Sequence, residues 1–279
     1  MFLLQQILPA AIVAMMVAAG ISGLAILWAK KGGRIVLSPI AAGVGYFVGH
    51  FFASGWVGFP PKDTTNWLPF FALGSAVLSG AVGFACSFRL WPRILILAFV
   101  TVGALRLLLN PQFQFSWSFS AGCTWVAGLL LLTLGNAYVL DVLARRQVMA
   151  GETLAFFLLI CGGTFAALMI SGSIFLGQCA AVFGAAVAGS CLLYAKDIVA
   201  ARSMLPLFSL LLVSLLLSGY FFAALPGRTT SLIMAAPLFG LVPIRKQVGL
   251  SATIRILLVA LPIAFAVFLA FRASPPLSD

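Results

Sequence analysis

Ten long apolar segments separated by short loops constrain this chain more than any other feature. A helix needs about 20 predominantly apolar residues to cross the hydrocarbon core of a bilayer. Here 63% of the 279 residues are hydrophobic and only 8% are charged, whereas a soluble domain carries about 25% charged residues. The pattern therefore predicts an all-α, polytopic transmembrane helical bundle and excludes a soluble globule.

The ten predicted spans form a single integral membrane domain over residues 1–279, because only short loops remain between them. They lie at Ile7–Ala29, Val36–Phe59, Trp67–Phe88, Ile94–Leu109, Phe119–Leu143, Thr153–Leu176, Cys179–Ala195, Met204–Leu225, Ser231–Val242 and Ile254–Phe271. The ninth is the weakest, since it is short, contains Pro237 and is followed by Pro243. A re-entrant or broken helix is the alternative there, a form tolerated only where protein or a cavity shields the backbone.

The basic residues predict the orientation of the bundle. Twelve lysines and arginines fall beside the loops that follow odd-numbered spans, and Lys62, Arg228 and Arg272 fall on the other side. Basic residues accumulate in cytoplasmic loops. We therefore expect both termini outside and a location in the plasma (cytoplasmic) membrane. The net charge of +11 is explained by this one-sided distribution, and no nucleic-acid partner is predicted.

A weak internal repeat appears at an offset of 139 residues, close to half the chain length. The matches are Ser75–Gly80 with Ser214–Gly219, Ala41 and Ala42 with Ala180 and Ala181, Gly23 with Gly162, and Gly45 with Gly184. Five spans in each half would give two halves of inverted topology, residues 1–146 and 147–279, which is a common plan of transporters. The alternative is chance, because alanine, glycine, leucine and serine are abundant here.

A ten-helix bundle built from two inverted five-helix halves resembles the architecture of the drug/metabolite transporters. No motif of that family is matched, and its members usually keep both termini inside, opposite to the orientation predicted here. The resemblance is one of architecture, and it implies a transport function.

The five acidic residues lie away from the middle of the predicted bilayer. They are Asp63 in an outer loop, Asp141, Glu152 and Asp197 at cytoplasmic ends, and Asp279 in the tail. Proton and cation relays usually need a carboxylate inside the membrane, so their placement argues against a proton-driven pump. Asp141 is expected to pair with Arg145 one helical turn later, and Glu152 to complement a helix dipole.

Three polar residues inside the spans are candidates for lining a solute path: His50, Arg106 and Asn136. His50 follows a GxxxG pattern, Gly45 to Gly49, which permits close helix approach. The alternative roles are structural. Arg106 then reaches to the headgroups from a helix end, and His50 and Asn136 make hydrogen bonds between helices.

Two further segments carry local predictions. Phe113–Phe119 alternates aromatic and polar residues and is expected along the outer interface with its aromatic side chains toward lipid; a ligand cage of stacked rings is the alternative. The sixth and seventh spans are rich in small residues, so we expect them to be the closest helix pair, joined by a turn at Gly177-Gln178. Near their junction, Ser171-Gly172-Ser173 is alternatively a gating hinge.

Metal, cofactor and enzyme signatures are missing from the sequence. None of the five cysteines belongs to a C-x-x-C pair, and His50 is the only histidine, so no zinc site or cofactor is predicted. A disulfide between Cys123 and Cys179 stays open, since both fall toward the predicted outer face. There is no phosphate loop, G-x-S-x-G or H-E-x-x-H motif, and an enzyme is not predicted.

Two functions remain after these exclusions. The first is a small-molecule permease for an uncharged or anionic solute. The second is a non-catalytic membrane subunit or scaffold that packs in the bilayer against partner membrane proteins or against copies of itself. A polar, water-accessible cavity near the middle of the bundle would favour the permease, and dry helix contacts at the three candidate residues would favour the scaffold.

Overall fold

The computed structural model describes residues 2–28, 31–56, 58–85, 90–146, 150–193, 197–242 and 248–273. Within these ranges the chain forms helices and turns, with no strand. The helices are α1 (Phe2–Trp28), α2 (Lys31–Ser54), α3 (Leu68–Ala85), α4 (Leu90–Leu108), α5 (Asn110–Phe115), α6 (Phe119–Arg146), α7 (Ala150–Ile170), α8 (Ile174–Leu193), α9 (Ile198–Ser203), α10 (Leu205–Phe222), α11 (Gly227–Phe239) and α12 (Val248–Ala273). A single 3-10 turn, Thr64–Trp67, precedes α3.

Each predicted span overlaps one helix of at least 13 residues in the described chain, which confirms the all-α class. The short helices α5 and α9 and the 3-10 turn were not predicted, because six residues or fewer carry no usable periodicity. Local chemistry explains one of them: the carboxylate of Asp197 accepts hydrogen bonds from the backbone N–H groups of Val199 and Ala200, at 3.1 and 3.2 Å. This side chain caps the N-terminus of α9.

Seven helices in the described part of the chain are long and apolar enough to cross a membrane: α1, α2, α6, α7, α8, α10 and α12. For α3, α4 and α11, crossing stays a prediction. The ninth predicted span corresponds to α11, which has 13 residues with Pro237 near its end. At about 1.5 Å per residue it is roughly 20 Å long, shorter than the hydrocarbon core of about 30 Å.

The turn predicted at Gly177-Gln178 is wrong: the chain turns six residues earlier, over Ser171–Ser173. Gly172 adopts a positive φ of 89°, which glycine reaches without steric cost. Its N–H bonds to the carbonyl of Met169, and the N–H of Ser173 bonds to the carbonyl of Leu168, at 3.2 and 3.1 Å. This pair of bonds is a Schellman cap, so Gly172 ends α7 and Gly177 belongs to α8.

Helix α10 occupies the centre of the bundle. Every residue from Leu207 to Gly219 is buried, and α10 contacts α3, α4, α6, α7, α8 and α11. A helix that is apolar on all sides is expected in such a position. Among the other long helices, α1, α2 and α8 form the most closely packed group.

Small residues allow the close approach of α1, α2 and α8. A Cβ atom at Gly45 would lie 2.7 Å from the carbonyl oxygen of Ala14, and one at Gly49 would lie 2.6 Å from the Cβ of Ala14. The close approach predicted from this GxxxG pattern is therefore confirmed. The prediction that the sixth and seventh spans form the closest pair is wrong, because α1 makes more extensive contacts with α2 and with α8 than α7 makes with α8.

The helix contacts agree only in part with the inverted repeat. The repeat relates α1, α2, α3, α4 and α6 to α7, α8, α10, α11 and α12. The pairs α2–α8 and α3–α10, which a two-fold axis would place together, are in contact. However, α1 packs extensively on α8, whereas α7 makes no comparable contact with α2 in the described part of the chain. The repeat stays a prediction.

Candidate functional site

His50 lies in a buried contact between α2 and α8. Its side chain is 1% exposed, and its Nδ1 lies 3.6 Å from the Sγ of Cys179, within hydrogen-bonding distance for sulfur. The rings of Tyr46 and Phe175 each lie 5.7 Å from the imidazole, centroid to centroid. Within the described residues the imidazole thus belongs to an aromatic cluster that joins the two helices.

The disulfide left open between Cys123 and Cys179 is excluded. Both cysteines are free: Cys123 is exposed, whereas Cys179 is buried with its thiol directed at His50. The two residues lie on α6 and α8, which do not pack against each other to any extent in the described chain.

Arg106 lies on the surface at the end of α4 and folds back onto α5. Its Nη1 donates a hydrogen bond of 2.8 Å to the Oδ1 of Asn110. The guanidinium carbon lies 4.4 Å from the centroid of the Phe113 ring, a cation–π distance. The side chain therefore joins α4 to α5 and shares none of the contacts described for His50.

Asn136 connects α6 to α11. Its Nδ2 donates a hydrogen bond of 3.0 Å to the carbonyl oxygen of Met234, and the side chain is buried. This is the interhelical hydrogen bond that the sequence offered as the alternative role. The three candidate residues lie in three separate environments, and the structure does not bring them together around a common cavity.

The aromatic segment before α6 is divided between two environments. Phe115 and Phe119 are exposed, by 84% and 82%, as expected for side chains toward lipid. Phe113 and Trp117 instead pack inward, and Trp117 stacks on Trp125 at 5.6 Å with an angle of 5° between the rings. The prediction that all the aromatic side chains face lipid is therefore wrong for Phe113 on α5 and for Trp117 after it, because both pack against the buried core.

A laterally open groove lies between α4, α6 and α10. Its cavity measures about 400 Å³, within the range of about 300–1,000 Å³ usual for small-molecule sites. The lining residues are Ile94 and Leu97 from α4, Leu131, Leu134, Gly135, Ala137, Tyr138 and Asp141 from α6, Arg202 from α9, and Leu205 and Pro206 from α10. We call this cavity the α4–α6 groove. Its walls are apolar except at the end that carries Asp141 and Arg202.

Two arginines meet the carboxylate of Asp141 at that end. Arg145 donates a hydrogen bond of 2.8 Å from Nε to Oδ2, which confirms the predicted pair. Arg202, 61 residues away, donates from Nε and Nη2 to Oδ1 at 3.0 and 2.8 Å. No local sequence pattern indicated Arg202 as a second partner. We call Asp141, Arg145 and Arg202 the arginine–aspartate cluster; its three formal charges sum to +1.

Glu152 is a further carboxylate at a helix end that has a basic partner. It lies in the first turn of α7, as the helix-dipole argument predicted, and it is buried. The Nη1 of Arg255 on α12 lies 3.9 Å from its Oε2. This contact joins α7 to α12, and neither residue lines the α4–α6 groove.

A second cleft borders the opposite side of α4. It measures about 520 Å³ and lies between α3 and α4. Aromatic and aliphatic side chains line it almost completely, among them Phe70, Leu95 and Phe99. Open space therefore lies on two sides of α4, although the helix keeps contacts with α3, α6 and α10.

The described residues contain no group of three or more His, Cys, Asp or Glu side chains arranged to hold a metal ion. No protein-family model matches this chain, and neither a curated protein nor a solved structure matches it. The α4–α6 groove and its arginine–aspartate cluster are accordingly judged on their own geometry.

Proposed function

We propose that this chain is a permease of the cell membrane, with ten spans and both termini outside, that moves an uncharged or anionic solute without enzymatic chemistry. The observation that carries the proposal is the position of α4 between two clefts, of about 520 and 400 Å³. A transporter must contain an element that changes its position relative to a fixed scaffold. Helix α4 meets that requirement, and the buried α10 supplies the scaffold.

The packing of the two helices supports this division of roles. Helix α10 is buried from Leu207 to Gly219, whereas on α4 Leu95 and Phe99 are exposed by 66% and 82%. Protein interiors are close-packed and resist continuous deformation, so a helix moves at the lowest free-energy cost where open space already lies beside it. A displacement of α4 would widen one cleft and narrow the other.

The second candidate function is a non-catalytic subunit, and the same exposed side chains favour it. A helix of a partner membrane protein would cover Leu95 and Phe99. The dry contacts of His50 and Asn136 also agree with a scaffold. Access of water to the α4–α6 groove distinguishes the permease from the subunit, because a permease must admit its solute from an aqueous phase or from the interface.

Cysteine accessibility tests the proposal. In a variant in which the five native cysteines are replaced, we would introduce Leu134→Cys inside the groove and Leu132→Cys on the same helix outside it. Leu132 is exposed but does not line the cavity. We expect a membrane-impermeant maleimide to label position 134 faster than position 132 in inside-out vesicles, where the cytoplasmic face is accessible.

The control compares right-side-out with inside-out vesicles, and size-exclusion chromatography of the wild-type chain in mild detergent checks for partners. Labelling of position 134 from neither side would refute the permease. A stoichiometric membrane protein that co-purifies and protects position 134 would support the subunit instead.

A further inference from the structure

We propose that the α4–α6 groove binds one acyl chain of an anionic phospholipid, whose phosphate lies against the arginine–aspartate cluster. This inference goes beyond the proposed function, because it concerns what occupies the groove and does not require that the occupant is transported. The proposed occupant is a lipid of the surrounding bilayer, and three features of the groove support it: the polarity of its walls, its length and the charge at its end.

The walls match a hydrocarbon chain. Apart from Tyr138, Asp141 and Arg202, every residue that lines the cavity is apolar or glycine. A Cβ atom added to Gly135 would have no atom within 4 Å, so the groove is open at its middle. A small polar solute would find few hydrogen-bond partners along this surface, and its desolvation would remain uncompensated.

The length of the groove separates its polar end from its apolar end. Leu131 and Asp141 are ten residues apart on α6, which corresponds to about 15 Å at 1.5 Å per residue. Asp141 lies near the end of the helix, where headgroups are expected, and Leu131 lies deeper in the predicted hydrocarbon region. An amphipathic molecule has the same separation of a charged end from an apolar chain.

The charge at the polar end favours an anion. The cluster carries two guanidinium groups against one carboxylate, and Arg145 is 55% exposed while Asp141 is 18% exposed. The Nε and Nη2 atoms of both arginines already face Asp141, so a phosphodiester would be held by their Nη1 groups and by the net charge of +1. Arg202 lines the groove and the exposed Arg145 lies beside it, which places this positive charge at the mouth of an apolar groove.

Native mass spectrometry of the purified full chain tests the inference. The probes are palmitoyl-oleoyl phosphatidylglycerol and the zwitterionic phosphatidylcholine with the same chains. We expect phosphatidylglycerol to bind about fivefold more tightly, the effect of one basic residue near a membrane surface. Glycerol 3-phosphate alone, which has a phosphate and no chain, is expected not to bind.

Two pairs of variants locate the site. Gly135→Leu fills the groove and is expected to weaken binding of phosphatidylglycerol at least about fivefold, since a leucine side chain displaces several methylene groups. Gly128→Leu is the matched control, because Gly128 lies two turns away on the same helix, has no atom within 4 Å of an added Cβ and does not line the groove. Arg145→Gln should abolish the preference for phosphatidylglycerol, and Arg272→Gln on α12 should not.

The possible outcomes distinguish the lipid site from the proposed permease function. Equal binding of the two lipids, or unchanged binding by Gly135→Leu, overturns the inference even if position 134 is labelled from water. Loss of a dimer or of a bound partner in Gly135→Leu, with lipid binding unchanged, also overturns it and shows that protein covers the groove. Lipid binding that follows the variants, with position 134 sealed from water, supports the lipid site and refutes the permease.

Discussion

Substitution of Gly49 by alanine tests the most closely packed part of the bundle, where α2 meets both α1 and α8. The new Cβ atom would lie 2.6 Å from the Cβ of Ala14, 2.7 Å from the Cγ1 of Val182 and 3.0 Å from the carbonyl oxygen of Ala10. Carbon atoms in favourable contact are about 3.5–4.0 Å apart. The methyl group therefore does not fit without separating the helices.

These contacts set the size of the expected loss in the free energy of unfolding. Overpacking costs about 1–3 kcal/mol, and we take the upper end because two of the neighbours are a helix backbone and an alanine methyl group, which cannot rotate away. Alanine is favoured over glycine inside a helix by roughly 0.5–1 kcal/mol, which offsets part of the cost. We expect Gly49→Ala to lower the free energy of unfolding by about 2 kcal/mol.

The assay is equilibrium unfolding by sodium dodecyl sulfate in mixed micelles, with Gly20→Ala on α1 as the matched control. Nothing lies within 4 Å of a Cβ atom at Gly20, so this variant should be as stable as the wild type or more stable. The double variant Gly49→Ala with Ala14→Gly should recover part of the loss, because it removes one of the colliding methyl groups. Wild-type stability of Gly49→Ala, or an equal loss in Gly20→Ala, would contradict the packing of α1, α2 and α8 described above.

Three further predictions use the same unfolding assay or a topology reporter. A double-mutant cycle should give a coupling of about 1–2 kcal/mol between Asp141 and the half-buried Arg202, but at most about 0.5 kcal/mol between Asp141 and the exposed Arg145; the reverse order would contradict the geometry. Asn136→Leu should change stability by no more than about 1 kcal/mol, because one hydrogen bond between membrane helices contributes about that much, whereas Asn136→Asp should cost more by burying a carboxylate beside the carbonyl of Met234. A reporter enzyme that is active only outside the cytoplasm, fused after Asp279, should be active; an inactive reporter on a stably inserted chain would refute the predicted orientation.

The positions of the long helices were predictable because each one satisfies a local condition. A helix that crosses a bilayer needs about 20 apolar residues in succession. Such a run can be recognised in the sequence without knowing which other helices it packs against. The ion pair of Asp141 with Arg145 was predictable for the same reason, since four residues along a helix fix the distance. The boundary between α7 and α8 was missed because Ser171–Ser173 and Gly177-Gln178 both contain a glycine. Only the backbone shows which glycine adopts a positive φ.

Contacts between distant parts of the chain were not predictable. Arg202 reaches Asp141 only because α9 returns to the end of α6. A helix of six residues is too short for its hydrophobic pattern to be recognised in the sequence. Cys179 meets His50 across 129 residues, and either side chain alone is compatible with many neighbours. The groove itself is defined by space between helices, which depends on their separation and not on any motif.

The scarcity of charged residues limits the chemistry of this chain, and it makes the pairing of the few charged groups informative. Burying a lone ionised group in hydrocarbon is costly, so each carboxylate at a helix end must have partners. Glu152 meets Arg255, Asp197 caps α9, and Asp141 is met by two arginines. One arginine is sufficient to neutralise Asp141. The second therefore leaves an excess positive charge beside an apolar groove, and this combination, more than any buried polar residue, supports the proposal that the groove holds an anionic amphipath.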